Sequence, residues 1–211
     1  MNFDNRCWEQ PWIADEDFKK ACGRIAGRTL LSLERLWVLW QVVGQTKHLG
    51  AEIWECGVYK GGSALLICRR IKDTHSTLRL FDTFTGIPFI DTEKDNFCKF
   101  GDFGDAGDSL LPFMLYDKID IRAGIIPYTF VGLEASKIAF CHVDVDVYQS
   151  VKACCEFVWP RLIVGGAMVF DDYNTRECEG ARIATDEFFS DKKEKPIMTW
   201  GESAVVFKSI G

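Results

Sequence analysis

Four aspartates carry the chemistry that this chain can be read for. An apolar run, Ile138 to Cys141, leads through His142 into Asp144 and Asp146, and a second, Ala167 to Phe170, ends in Asp171-Asp172. Short, nearly continuous apolar runs are the mark of buried parallel strands, and open α/β sheets bind ligands at the carboxyl ends of such strands. The four acids are therefore expected at one sheet edge. No basic residue stands beside them in sequence, so they need a compensating charge. A hard divalent cation such as Mg²⁺, which takes carboxylate oxygens, supplies it. The competing reading is that they cap helices that follow the strands.

Two further strand ends carry acids. Ala51 to Cys56 contains Glu55 and runs into the glycine turn Gly57-Val58-Tyr59-Lys60-Gly61-Gly62-Ser63, which opens a helical pattern to Ile71. Glycines let backbone approach a ligand, and a helix N-terminus offers free amide donors. The glycines do not follow the G-x-G-x-x-G order. A carboxylate at Glu55 suits an ammonium group better than a pyrophosphate. Thr77 to Phe81 reads as the next strand and ends at Asp82, 27 residues after Glu55. That is the position that grips ribose hydroxyls in nucleotide-binding α/β folds. Lys118 to Ala123 reads as a third strand, and Gly124-Ile125-Ile126 after it is a place for an adenine.

The elements that must position these groups follow from periodicity. Phe18, Cys22, Ile25, Leu30, Leu33, Leu36, Trp37, Trp40 and Val43 recur at helical steps from Asp15, with Asp15 or Asp17 as cap, a break near Gly23 and Gly27, and an end at Gly44 or Gly50. Residues 1 to 14, with Trp8 and Trp12, read as an arm. The apolar Leu30–Val43 segment and this arm lead us to expect a homodimer or higher oligomer. Residues 88 to 109 read as a loop or lid, 109 to 116 as a short helix, and 197–200 and 204–208 as two antiparallel closing strands joined through Gly201. We divide the chain into 1–50, an N-terminal arm with helices, and 51–211, the α/β domain.

Composition narrows the function. The 211 residues hold 47% hydrophobic residues and a net charge of -6, which argues for one domain with a real core and against nucleic acid as partner. No apolar stretch is long enough to span a bilayer, and no basic head followed by an apolar run marks a secretory leader. The nine cysteines form no Cys-x-x-Cys pair and several lie inside apolar runs, so a reduced, cytoplasmic protein is expected.

Five motifs, in order, resemble the macrocin-type sugar O-methyltransferases: Glu55–Ser63, Phe81–Pro88, His142–Tyr148, Gly165–Tyr173, and Gly180-Ala181-Arg182 with Asp186-Glu187-Phe188. The chain is short before the first of them. The resemblance implies a Rossmann-like class I methyltransferase fold, α/β, with a mostly parallel seven-stranded sheet, an antiparallel last strand and helices on both faces. It implies S-adenosylmethionine as cofactor, with Glu55, Gly57, Tyr59, Gly61, Gly62, Ser63, Asp82, Thr83, Gly124, Ile125 and Asp144 as its binding set. It also implies Mg²⁺ held by Asp144, Asp171 and Asp172, Asp144 as general base, and a sugar or glycoside as acceptor. His142 is the rival base or a core histidine. A cofactor-binding module without turnover and a catechol-type methyltransferase are the alternative functions.

Overall fold

The computed structural model describes residues 10–106, 113 and 118–210. Seven strands form one sheet: β1 (Glu52–Cys56), β2 (Leu78–Asp82), β3 (Ile119–Ala123), β4 (Ile138–Val143), β5 (Leu162–Phe170), β6 (Ile197–Met198) and β7 (Ala204–Phe207). Their spatial order is β3-β2-β1-β4-β5-β7-β6. The first five strands pair in parallel. β7 runs antiparallel to β5 and to β6, so the reversed last strand is inserted between two others. The chain order turns back between β1 and β4, and that switch point is where a parallel sheet opens a crevice at its carboxyl edge.

Alternate residues of the strands face two cores. On one face Ile53, Leu78, Leu80, Phe140 and Val169 pack with α1 (Glu16–Ile25), α2 (Leu33–Thr46) and α3 (Gly62–Ile71). On the other, Trp54, Phe81, Cys141, Met168 and Phe170 pack with α4 (Tyr148–Arg161) and α5 (Glu179–Phe189). Trp54 is fully buried against Phe81 and Phe130. Every residue of β4 is buried, as expected of a strand paired on both sides and covered on both faces.

The N-terminal helices are a layer of this fold: Phe18, Leu39, Trp40 and Val43 belong to the same core as the strands. Asp15 caps α1 through the Phe18 amide at 2.8 Å, and the Ser32 side chain caps α2. Gly44 does not end α2, which continues to Thr46. Its bare backbone instead makes room for the Arg70 guanidinium, 2.4 Å from where a Cβ would stand. β5 begins at Leu162, five residues before its apolar run, with a register irregularity against β4. The short helix expected at 109–116 lies outside the described residues except for Phe113. α4 is capped from afar, since Asp95 Oδ1 accepts the Tyr148 amide at 2.9 Å. Asp95 is itself seated against Gly180, where a Cβ would meet Asp95 Oδ1 at 1.9 Å. No helix among the described residues is long and apolar enough to cross a membrane, and the cysteines among them are free.

Candidate active site

At the carboxyl edge of the sheet lies a cavity of about 300 Å³. One wall is the turn after β1. Gly57 adopts φ +87°, and a Cβ there would stand 1.7 Å from the Asp144 carbonyl oxygen, so the β1 and β4 ends meet through bare backbone. Asp82, at the end of β2, braces this turn: Oδ2 accepts the Val58 amide at 2.6 Å and the Tyr59 amide at 2.8 Å, and Oδ1 accepts the Phe84 amide at 2.7 Å. Tyr59 is held at φ +50°, a conformation that costs an L-residue about 1–2 kcal/mol and recurs at functional sites. The Gly62 amide at the start of α3 donates to Arg28 O at 3.0 Å, bringing the α1–α2 connection, with Thr29, Leu30 and Leu31, onto the cavity.

A loop covers the opposite side and is tied down twice. Besides the Asp95 cap on α4, Asp105 accepts the Tyr59 hydroxyl at 2.8 Å and the Lys60 ammonium at 2.6 Å. Phe103 of this loop sets its ring edge-on to Tyr59 at 6.1 Å and lines the cavity with Ile87 and Pro88.

The acids complete the wall. One carboxylate oxygen from each of Asp144, Asp171 and Asp172 lies within 4.8 Å of the others, and Asp146 and Asp172 make a similar group with the Cys178 thiol. Asp171 is 2% and Asp172 7% exposed. Burial, and then the charges of Asp171 and Asp172, push the Asp144 carboxyl well above its usual range. Burial, then Asp172, does the same to Asp146. Asp172 is raised to about 6 by burial and by Asp171. Asp146 also sits in the left-handed region, φ +58°.

Two cations partly answer these acids. Arg35, from the first turn of α2, places Nη1 2.9 Å from Asp171 Oδ2 and Nη2 3.6 Å from Asp172 Oδ1. His142 is fully buried, with Nδ1 3.0 Å from Glu55 Oε1 and Nε2 3.8 Å from Asp171 Oδ1. Burial favours its neutral ring, but the carboxylates on either side outweigh that cost and push its pKa up to about 10. It bridges two acids beneath the cavity floor and is absent from the lining.

The donor set suits a hard divalent cation. Three carboxylates stand together, they outnumber the nearby positive charges, and Asp172 Oδ2 is buried without a hydrogen-bond partner among the described residues. A buried, unpaired carboxylate oxygen is costly unless an ion or water takes it.

Of the residues read from sequence, Gly57, Tyr59, Ser63, Asp82, Thr83, Gly124, Asp144, Asp171 and Asp172 line this one cavity. Glu55, Gly61, Gly62 and Ile125 do not. Glu55 is fully buried and turned to His142; the glycines shape the turn behind the lining; Ile125 points outward, and its neighbour Ile126 takes the wall. Arg28, Thr29, Leu31, Arg35 and Phe103 were missed. Arg35 follows Glu34 in the first turn of α2, an ordinary charged pair at a helix start, and so left no signal of its place in the site.

A family model described as macrocin O-methyltransferase (TylF) matches residues 24–209. The chain belongs to the macrocin O-methyltransferase family. It is 26% identical over 182 residues to the 8-demethyl-8-(2,3-dimethoxy-alpha-L-rhamnosyl)-tetracenomycin-C 4'-O-methyltransferase of Streptomyces olivaceus, covering 72% of this chain and 65% of that protein. It is 25% identical over 188 residues to the demethyldecarbamoylnovobiocin O-methyltransferase of Streptomyces niveus, covering 76% of this chain and 67% of that one. This chain therefore spans about two thirds of the length of each. Among solved structures, the calicheamicin methyltransferase CalS11 superimposes with a TM-score of 0.71 at 17% identity, over 98% of this chain and 97% of its own. The O-methyltransferase NovP does so with 0.70 at 20% identity, over 87% and 83%. The fold of this family member is thus that of the Rossmann-like class I methyltransferases.

Proposed function

We propose that this protein is an S-adenosylmethionine- and Mg²⁺-dependent O-methyltransferase acting on a hydroxyl of a sugar or glycosylated metabolite. One observation carries the reading: the braced glycine turn and the acids ending β4 and β5 form walls of the same cavity. The two Streptomyces relatives, named for methylation of a rhamnosyl-tetracenomycin and of a novobiocin precursor, support the acceptor class.

S-adenosylmethionine, when bound, supplies an electrophilic methyl group. The cation, held by Asp144, Asp171 and Asp172, supplies the positive field that lowers the pKa of a hydroxyl. The rest falls to the chain. Gly57 lets backbone pass close to the cofactor, and Asp82 fixes the turn that Tyr59 and Ser63 line. Phe81 and Ile126 offer an apolar face to the adenosine end. Leu30, Leu31 and Phe103 exclude water from the acceptor side, and the rigid wall keeps oxygen, methyl and sulfur in line. Asp144 is one of the ion's ligands, and a bound cation lowers its basicity. Asp146 stands at the same wall outside that set of three, so its carboxylate is the better-placed acceptor of the hydroxyl proton.

Titration calorimetry with S-adenosylmethionine, with and without Mg²⁺, followed by methyl transfer to a panel of glycosides and catechols, tests this. Cofactor binding and Mg²⁺-dependent turnover on glycosides are expected; no cofactor binding in either condition ends the proposal. We also propose self-association through the groove lined by Trp12, Trp37, Val38, Trp200 and Phe207, with a monomer by light scattering at micromolar concentration counting against it.

A further inference from the structure

We infer that Arg35 is a positioning residue: a built-in counter-cation that shares the Asp171 and Asp172 carboxylates with the metal and keeps the acids assembled when the metal is away. The metal half of this inference rests on the function proposed above. The counter-cation half does not.

The geometry divides each carboxylate in two. Arg35 takes Oδ2 of Asp171 and faces Oδ1 of Asp172. The other oxygens turn away from it: among the described residues Asp172 Oδ2 has no hydrogen-bond partner, and Asp171 Oδ1 faces His142 Nε2 at 3.8 Å. One edge of the acid pair is thus closed by a guanidinium and the other is open to an ion. The guanidinium is not a casual neighbour. Its Nε donates to Gly201 O at 2.8 Å, and Nη2 donates to Thr175 Oγ1 at 2.6 Å and to Glu202 at 3.2 Å. Gly201 is packed so tightly against α2 that a Cβ would meet Glu34 Cβ at 3.0 Å. The planar fork of arginine can serve all these acceptors at once; the single ammonium of lysine cannot. The side chain is only 13% exposed, so little water screens its charge. Buried like charges in contact repel strongly, and a fixed cation beside them removes much of that cost.

The test is a double-mutant cycle with two readouts. Asp171→Asn is expected to lower the metal-free Tm in the wild-type background, where it breaks the pair with Arg35. It is expected to raise the Tm in an Arg35→Met background, where it relieves repulsion among bare acids. The same sign in both backgrounds overturns the counter-cation role. In parallel, Mn²⁺ affinity is measured by calorimetry. Loss of the competing charge makes Arg35→Met bind Mn²⁺ about tenfold more tightly than wild type, with a larger Tm gain on binding. Equal or weaker Mn²⁺ binding overturns the sharing. Arg35→Lys keeps the charge without the fork, so its Mn²⁺ affinity stays near wild type while its Tm falls. It decides the question if Arg35→Met does not fold, because a purely structural role predicts that both constants fall together. If wild-type protein binds no Mn²⁺, the proposed function fails, and the Tm cycle still judges Arg35.

Discussion

Replacing Gly57 with Ala tests the closest approach in the site. The added Cβ would lie 1.7 Å from the Asp144 carbonyl oxygen and 2.5 Å from its carbonyl carbon. Both are backbone atoms that β1–β4 pairing holds in place, Asp144 itself by the hydrogen bond its amide donates to Cys56 O at 2.8 Å. No side-chain rotation relieves such a clash, so the β1 and β4 ends must separate by more than an ångström. The left-handed φ of +87° adds a cost of about 1–2 kcal/mol, and forced separation of a packed contact about 1–3 kcal/mol. The sum, about 2–5 kcal/mol, corresponds to a fall of roughly 1–2 M in the urea midpoint at an m-value of about 2–3 kcal/mol/M. The same movement parts Asp144 from Asp171 and Asp172, so Mn²⁺ binding is lost along with S-adenosylmethionine binding. Urea unfolding followed by tryptophan fluorescence, together with calorimetry for both ligands, reads the outcome. A midpoint shift below about 0.3 M with both ligands still bound would refute the argument that this backbone contact couples the cofactor turn to the acids.

Asp82→Ala removes the acceptor of three backbone amides and is expected to cost about 2–4 kcal/mol; hydrogen exchange at Val58, Tyr59 and Phe84 should accelerate, and unchanged protection there would contradict the bracing role. Asp146→Asn should lower kcat about 10²–10⁴-fold while S-adenosylmethionine binding stays near wild type, and an unchanged kcat returns the proton to Asp144. Glu52 is held below its ordinary value of 4.5: burial opposes this, and hydrogen bonds from Arg79 and Trp54 prevail. A depressed carboxyl contributes stability that is present above pH 4.5 and lost as pH falls through the folded value. Glu52→Gln is therefore less stable than wild type at pH 7, and the two converge in urea titrations as pH falls from 4.5 through the folded value; a gap that persists once the carboxyl is protonated would assign the effect to packing.

The sheet and the acid-bearing strand ends were legible because they are local. β4 and the second half of β5 are short apolar runs, and the acids at or just beyond the ends of β1, β2, β4 and β5 are visible without knowing their neighbours. The antiparallel pairing of the last two strands followed from the short turn at Gly201, whereas the insertion of β7 beside β5 did not. What stayed hidden depends on pairing across the chain. Arg35 finds Thr175 140 positions away, and nothing near Arg35 in sequence announces it. Asp82 reads from sequence as a ligand residue, yet its carboxylate holds the neighbouring turn, since backbone amides of the β1–α3 connection reach it only once β1 and β2 lie side by side. Glu55 looked open to an ammonium group because its partner, His142, lies 87 positions on. Gly44 looked like a helix end and Gly180 like part of a motif, but each is a hollow for a distant polar side chain, and sequence spacing does not encode hollows.

The moorings at Asp95 and Asp105 make the segment between them a removable panel in an otherwise fixed frame. Its ends are pinned to the head of α4 and to the cofactor turn, while Phe97 and Phe100 between them are each more than half exposed and Phe103 turns its ring to Tyr59 and the cavity. Evolution, or an engineer, can rewrite those ten or so side chains to admit a different glycoside and leave both the sheet and the acids as they stand.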